Sequence, residues 1–234
     1  MTTLVTIPGI MSDERTWAPV AAALAPRIGN VHVADTTTDD TLQGMAARAL
    51  SQTGGNLIII AHSMGGRVAM EMGRQAPERI RAMVLAGIDA DGPGENEAAK
   101  REARISKANA GMEAYGRDWA PTVLSGANAK NDALVAKVRQ MVEDCPPQVH
   151  ARQNTALLHR PDAMAYIGDF PFPVLLIAGD EDHLCTETVL RAVAARIPDA
   201  TCITIVGAGH LLPFEQPDEL ALVISQWLQE KAVY

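Results

Sequence analysis

The chain has 234 residues, 47% of them apolar and 21% charged, with a formal net charge of −8. That balance describes a globular protein with a sizeable core, one large domain or one domain with an insertion, and it disfavours a nucleic-acid partner, since no basic stripe with interleaved aromatics is present. Cys145, Cys185 and Cys202 are odd in number and lack C-x-x-C spacing, which argues against a disulfide framework and a tetrahedral metal site and points to a reducing compartment, the cytoplasm.

The N-terminal "MTTLVTIPGI" has no basic region and reaches Pro-Gly after a few apolar residues, so it reads as neither a signal peptide nor a membrane-spanning helix. Along the chain, "LVTI", "VHVA", "LIIIA", "AMVLAG", "PVLLIAG" and "TCITIV" are short runs apolar on both faces, and most are separated by stretches of helical period. Such spacing indicates a mostly parallel, six-stranded α/β sheet flanked by helices, its strands buried and joined by crossover helices. Leu42, Met45, Ala46, Ala49 and Leu50 make one helical face, and so do Leu220, Val223, Ile224, Trp227 and Leu228. The alternation breaks over residues 91–171, where no strand-like run occurs and Ala, Glu, Lys, Arg and Met dominate. This segment is predicted to be an all-helical cap inserted into a core domain made of residues 1–90 and 172–234, with a helix presenting Leu134, Val135, Val138, Met141 and Val142 and ending at Cys145-Pro146-Pro147. Caps of this kind cover pockets at the carboxyl ends of strands.

The third run leads into Ala61-His62-Ser63-Met64-Gly65, a small-x-Ser-x-Gly corner between strand and helix. Small residues two before and two after the serine suit a strained turn whose neighbours pass close together. A serine hydroxyl is a weak nucleophile near neutral pH, and needs a base that in turn needs an orienting acid. Asp180, Glu181 and Asp182 follow the fifth run, and His210 follows the sixth, so acids and a histidine arrive in order on two later strand ends. Asp89, closing "VLAGID", is a further candidate acid.

With "PGIMSDERTW", "AHSMGGRVAMEM", "RPDAM", "GDEDHLCTE" and "GAGHLLPFEQPDEL", the chain resembles the α/β-hydrolase superfamily over nearly its whole length, and more closely its small bacterial esterases and 3-oxoadipate enol-lactonase-like members. The resemblance implies a serine hydrolase of small carboxylic esters or lactones that needs no cofactor or metal, with Asp182 as acid through G-x-x-D and His210 as base through G-x-G-H. Carbon-carbon bond hydrolases, thioesterases and perhydrolases share that serine set, and a receptor-like binding module is a rival of another class. It also implies a sheet lacking the family's first two antiparallel strands. Backbone N–H groups of Met64 and of Ile10, in Pro8-Gly9-Ile10-Met11, are the expected oxyanion donors.

Several residues carry weaker signals. His62 reads as a packing or pocket-wall residue, His183 as a loop residue, and His32, His150 and His159 show no ligand spacing. Met112, Tyr115 and Trp119 form a helical stripe that is expected to line the substrate pocket if it does not merely pack the cap. His150, Arg152, His159 and Arg160 supply local positive charge suited to a substrate carboxylate or to a solvated face.

Overall fold

The computed structural model describes residues 2–233. Strands β1 (Thr2–Ile7), β2 (Asn30–Val33), β3 (Asn56–His62), β4 (Ile80–Ala86), β5 (Val174–Gly179) and β6 (Ala200–Ile205) form one sheet ordered β2-β1-β3-β4-β5-β6. Every neighbouring pair is parallel. Helices α1 (Ala18–Ile28), α2 (Leu42–Gln52) and α3 (Met64–Gln75) connect the early strands. Between β4 and β5 come α4 (Glu97–Ala110), α5 (Met112–Trp119), α6 (Asp132–Glu143) and α7 (Pro147–Leu158), and then α8 (Glu187–Ala194), the single turn α9 (Leu212–Glu215) and α10 (Pro217–Glu230) follow.

The strand runs are apolar on both faces because each face packs on helices. In β3, Leu57, Ile59 and Ala61 join a core with Leu42 and Met45 of α2 and Met64 and Val68 of α3. Their alternates Ile58 and Ile60 join Val20 and Leu24 of α1 and Leu220, Ile224 and Trp227 of α10. The period of two thus sorts one strand into two cores. β2 departs from the expected burial, with Val31 42% and Val33 41% exposed. It is an edge strand, so its outer flank has no neighbour to cover it.

The strand order changes direction at β1, whose neighbours are β2 and β3. The register Ile7↔Ala61 sets the chain leaving β1 beside the chain leaving β3. Open α/β sheets bind ligands at such a switch point, outside the carboxyl strand ends.

In the helices between β4 and β5, α4 packs on α7 and α5 on α6. Met112, Tyr115, Ala108 and Val142 cluster with Met11, which follows β1. Ala120, Val123, Leu124 and Val138 cluster with Leu211, which follows β6. These two apolar contacts fasten the inserted helices over the strand ends. Among the described residues no helix is long and apolar enough to cross a membrane.

Candidate active site

β3 ends at His62, and Ser63 caps α3 with φ 52° and ψ −120°. A side-chain-bearing residue at positive φ costs about 1–3 kcal/mol and persists where its surroundings enforce it. Here the Ser63 N–H donates to Ala86 O at 3.0 Å, and Ser63 O accepts from Gly66 N at 2.9 Å. Gly65 lets the corner close, since a Cβ there would lie 2.5 Å from the carbonyl oxygens of both Ile7 and Pro8. Ala61, standing where glycine is more usual, is fully buried and packs in the core without such a conflict.

The loops leaving β5 and β6 meet at Gly179, where a Cβ would lie 2.2 Å from Ala208 O. Asp182, 3% exposed, accepts hydrogen bonds at Oδ1 from Leu184 N (2.8 Å) and Cys185 N (2.9 Å). Its Oδ2 lies 2.9 Å from His210 Nδ1, and His210 Nε2 lies 2.9 Å from Ser63 Oγ. A carboxylate accepts, so the His210 proton belongs on Nδ1 and Nε2 is left to accept from the hydroxyl. Burial raises the Asp182 pKa, but the hydrogen bond and charge of His210 and the two backbone N–H groups outweigh it and hold the carboxyl below its ordinary 3.8.

The other candidate acids are engaged elsewhere. Asp180 Oδ1 accepts from Gly207 N at 2.8 Å, Glu181 Oε2 from Gly126 N at 2.7 Å, and Asp89 Oδ1 from Arg67 Nε at 3.0 Å. Asp182, Cys185 and His210 bring potential metal ligands within 4.8 Å of one another. They do not fit an ion well, because both Asp182 oxygens are committed and burial, reinforced by the Asp182 charge, pushes the Cys185 thiol up.

Three supporting residues escape any local reading of the sequence. His62 places Nε2 2.7 Å from the His210 carbonyl oxygen. Burial, and then the neighbouring His210, push its pKa down to about 3, so the ring is neutral and Nε2–H is the donor. Glu215 accepts from Gly209 N at 2.9 Å and from Ser125 N at 2.8 Å, bracing the loop that carries His210 against the inserted segment. Gln153 of α7, fully buried, accepts from Met11 N at 2.9 Å and donates to Thr36 O at 3.2 Å. Each joins residues far apart in the chain.

A cavity of about 280 Å³ opens on this arrangement. Ser63, His210, Ile10 and Met64 all line it. Met64 is the first residue of α3, and N–H groups in a first helical turn have no intrahelical acceptor. Tyr115 and Trp119 line the cavity as expected from the stripe. Met112 does not: it turns into the cluster with Met11 and Val142 that seats α5, because the face of α5 is split between cavity and packing. Of the predicted cationic group, His150 and Arg160 line the cavity. Arg152 instead donates to Thr37 O at 3.0 Å, and His159 is an exposed residue ending α7.

The alpha/beta hydrolase family matches residues 4–222. A 2-succinyl-6-hydroxy-2,4-cyclohexadiene-1-carboxylate synthase of Salmonella arizonae is 26% identical over 94% of this chain and 93% of its own length. A pimeloyl-[acyl-carrier protein] methyl ester esterase of Xanthomonas campestris is 24% identical over 96% of this chain and 94% of its own. A Bacillus subtilis relative, 25% identical over 192 residues, is longer, and the match spans 65% of it. Among solved structures, a thermophilic esterase from Thermogutta terrifontis superposes with a TM-score of 0.89 at 22% identity, covering 99% of this chain and 90% of that one. The strand order, the serine corner and the extent of the family match together establish that this chain belongs to the alpha/beta hydrolase family.

Proposed function

We propose that the chain is a serine hydrolase that cleaves a small carboxylic ester or lactone through an acyl-enzyme on Ser63. The observation that carries this reading is the unbroken hydrogen-bonded series from Ser63 Oγ through the His210 ring to Asp182, at 2.9 Å for each step. The esterase relative that matches nearly end to end supports it. In the first step His210 Nε2 takes the hydroxyl proton as Ser63 Oγ bonds to the acyl carbon, and the carbonyl electron pair moves onto oxygen. The N–H groups of Ile10 and Met64 hold that oxyanion, with the start of α3 adding a favourable partial charge. Collapse breaks the bond to the leaving oxygen, which takes the proton from His210. Water then gives its proton to the same nitrogen and adds to the acyl carbon; collapse breaks the bond to Ser63 Oγ, which takes that proton from His210, and the acid leaves. Asp182 stays ionised throughout and holds the ring in the required tautomer. In this reading residues 91–171 act as a cap over the site, and Tyr115 and Trp119 contact the substrate.

Steady turnover of a short-chain p-nitrophenyl ester, together with a fluorophosphonate adduct on Ser63, is the expected result. Ser63→Ala should lose the adduct and lower kcat by roughly four to six orders of magnitude. Turnover that survives this substitution, or an adduct on another residue, overturns the reading. A chain that only binds esters would show ligand-induced thermal stabilisation without turnover.

A further inference from the structure

Beyond Ser63 the cavity wall is cationic in a chain whose formal net charge is −8: Arg67, Arg101, Arg104 and Arg160 line it against only Asp89 and Glu97. Arg67 belongs to Asp89, bonded through Nε at 3.0 Å. Glu97 is shared by Arg101 (Nε, 2.9 Å) and Arg160 (Nη2, 2.8 Å). Arg160 spends its remaining donors on the carbonyls of Asp91, Gly92 and Leu157, so its role is to hold the chain leaving β4. Arg101 gives Nη1 to Asn154 Oδ1 at 3.2 Å. Arg104, solvent-exposed on α4, has no hydrogen-bond or ion-pair partner among the described residues, yet its side chain reaches the cavity.

Two neutral donors accompany it. The Tyr115 hydroxyl has no hydrogen-bond partner among the described residues, and its ring packs edge-on to His150 with centroids 5.0 Å apart. Arg101 can only donate, so the Asn154 oxygen faces it and the Asn154 amide donates to His150 Nε2 at 3.0 Å. The His150 proton therefore sits on Nδ1, a buried donor with no partner among the described residues. The uncompensated charge is felt locally. Burial and then the Arg104 and Arg101 charges push the His150 pKa down to about 4. Burial lowers the Arg101 pKa as well, and Arg160 and Arg104 add to it against the pull of Glu97.

We infer that this wall is an oxyanion subsite and that the substrate carries a carboxylate remote from its scissile carbonyl, with Arg104 taking the charge and Tyr115 and His150 donating to the remaining lone pairs. A guanidinium with neighbouring neutral donors suits a planar carboxylate. The inference rests on the serine-hydrolase reading for the meaning of "scissile", and its test separates the two.

The p-nitrophenyl monoesters of short dicarboxylic acids are compared with neutral p-nitrophenyl esters of equal length. O-acetyl hydroxy acids are compared with their amides, which places the carboxylate on the alcohol side. In at least one series the anionic member should exceed its neutral counterpart in kcat/KM by roughly tenfold to a hundredfold, the range of a charged hydrogen bond. The ratio, which is insensitive to the amount of folded protein, should drop below one in Arg104→Glu, be partly retained in Arg104→Lys, and shrink with added salt. Turnover of neutral esters with no anionic preference in either series overturns the subsite and leaves the hydrolase reading standing. Calorimetry on Ser63→Ala covers the converse. If no ester is turned over, but a monoester binds Ser63→Ala and not Ser63→Ala/Arg104→Glu, the hydrolase reading falls and the subsite stands. Equal binding by both overturns the subsite.

Discussion

Ser63 shows how much of a site can reside in a few adjacent residues and how much cannot. Its corner was legible because strand, small residues and helix start lie within one short stretch, and the steric reason is visible at Gly65. The atoms that a methyl group there would meet, the oxygens of Ile7 and Pro8 and the carbonyl carbon of Ile7, are backbone and cannot swing away. Gly65→Ala should therefore cost at least about 1–3 kcal/mol, lowering Tm by several degrees on calorimetry and removing turnover with it. An unchanged Tm would mean that the corner opens to accept the methyl. Spacing alone left Asp180, Glu181 and Asp182 in competition, because one residue of loop slip is invisible in a sequence. Distances separate them: Oδ2 of Asp182 meets His210, while the other two meet backbone N–H groups of neighbouring loops. Asp182→Asn keeps the acceptor used by Leu184 and Cys185 but presents an amide to His210, favouring the wrong tautomer. Loss of roughly three to four orders of magnitude in kcat at nearly constant Tm is expected, and activity within tenfold of wild type would remove Asp182 from its proposed role. His62 could be read from sequence only as far as packing, since its acceptor is the carbonyl of a residue 148 positions away. Replacing it by Phe leaves that buried oxygen unpaired, and a loss of about 1–3 kcal/mol in chemical denaturation should accompany reduced turnover.

Among the elements, periodicity located the helices and their apolar faces, yet what α7 contributes depends on where it lands. Met11 takes φ 56°, a strained conformation, directly after the proposed oxyanion donor Ile10. Its N–H is received by Gln153 across a separation of 142 residues, and the same amide is anchored on Thr36. A helix outside the sheet therefore fixes the loop at the end of β1. Gln153→Leu preserves volume and helix propensity while stranding the Met11 N–H in a buried place, which lets the loop relax. The expected signature is a fall of roughly tenfold or more in kcat on a neutral ester with KM changed far less, since an oxyanion donor acts mainly in the transition state. A lower Tm with kcat per folded molecule unchanged would restrict Gln153 to a structural role. The stripe Met112, Tyr115, Trp119 had the same difficulty in reverse: its period was evident, but no period says which residue of a stripe meets a cavity and which meets Met11.

At the scale of the molecule, the alternation of buried strands and amphipathic helices was sufficient to foresee a parallel sheet interrupted by helices, whereas the charge distribution was not. A net charge of −8 concealed a cationic cavity, because the arginines concerned are dispersed over α3, α4 and the chain just beyond α7 and only folding collects them. A carboxylate shared by two of them also joins the two ends of the inserted segment, as Glu97 of α4 is bonded by Arg101 on its own helix and by Arg160 beyond α7. Burial raises the Glu97 pKa, but the hydrogen bonds from Arg160, the Gly94 N–H and Arg101 outweigh it and bring it from an ordinary 4.5 to about 2. A pKa depressed in the folded state stabilises the fold above the unfolded value, and that contribution is lost as protons bind during the descent through the folded one. Glu97 should thus contribute fully above 4.5 and progressively less toward 2. The Tm of Glu97→Gln is expected to lie below that of wild type near pH 6, and the gap should narrow when both are measured near pH 3, where the wild-type contribution is itself being titrated away. A gap that stays constant over this range would show that Glu97 holds the inserted segment together by shape alone, and that its charge does not couple α4 to the chain beyond α7.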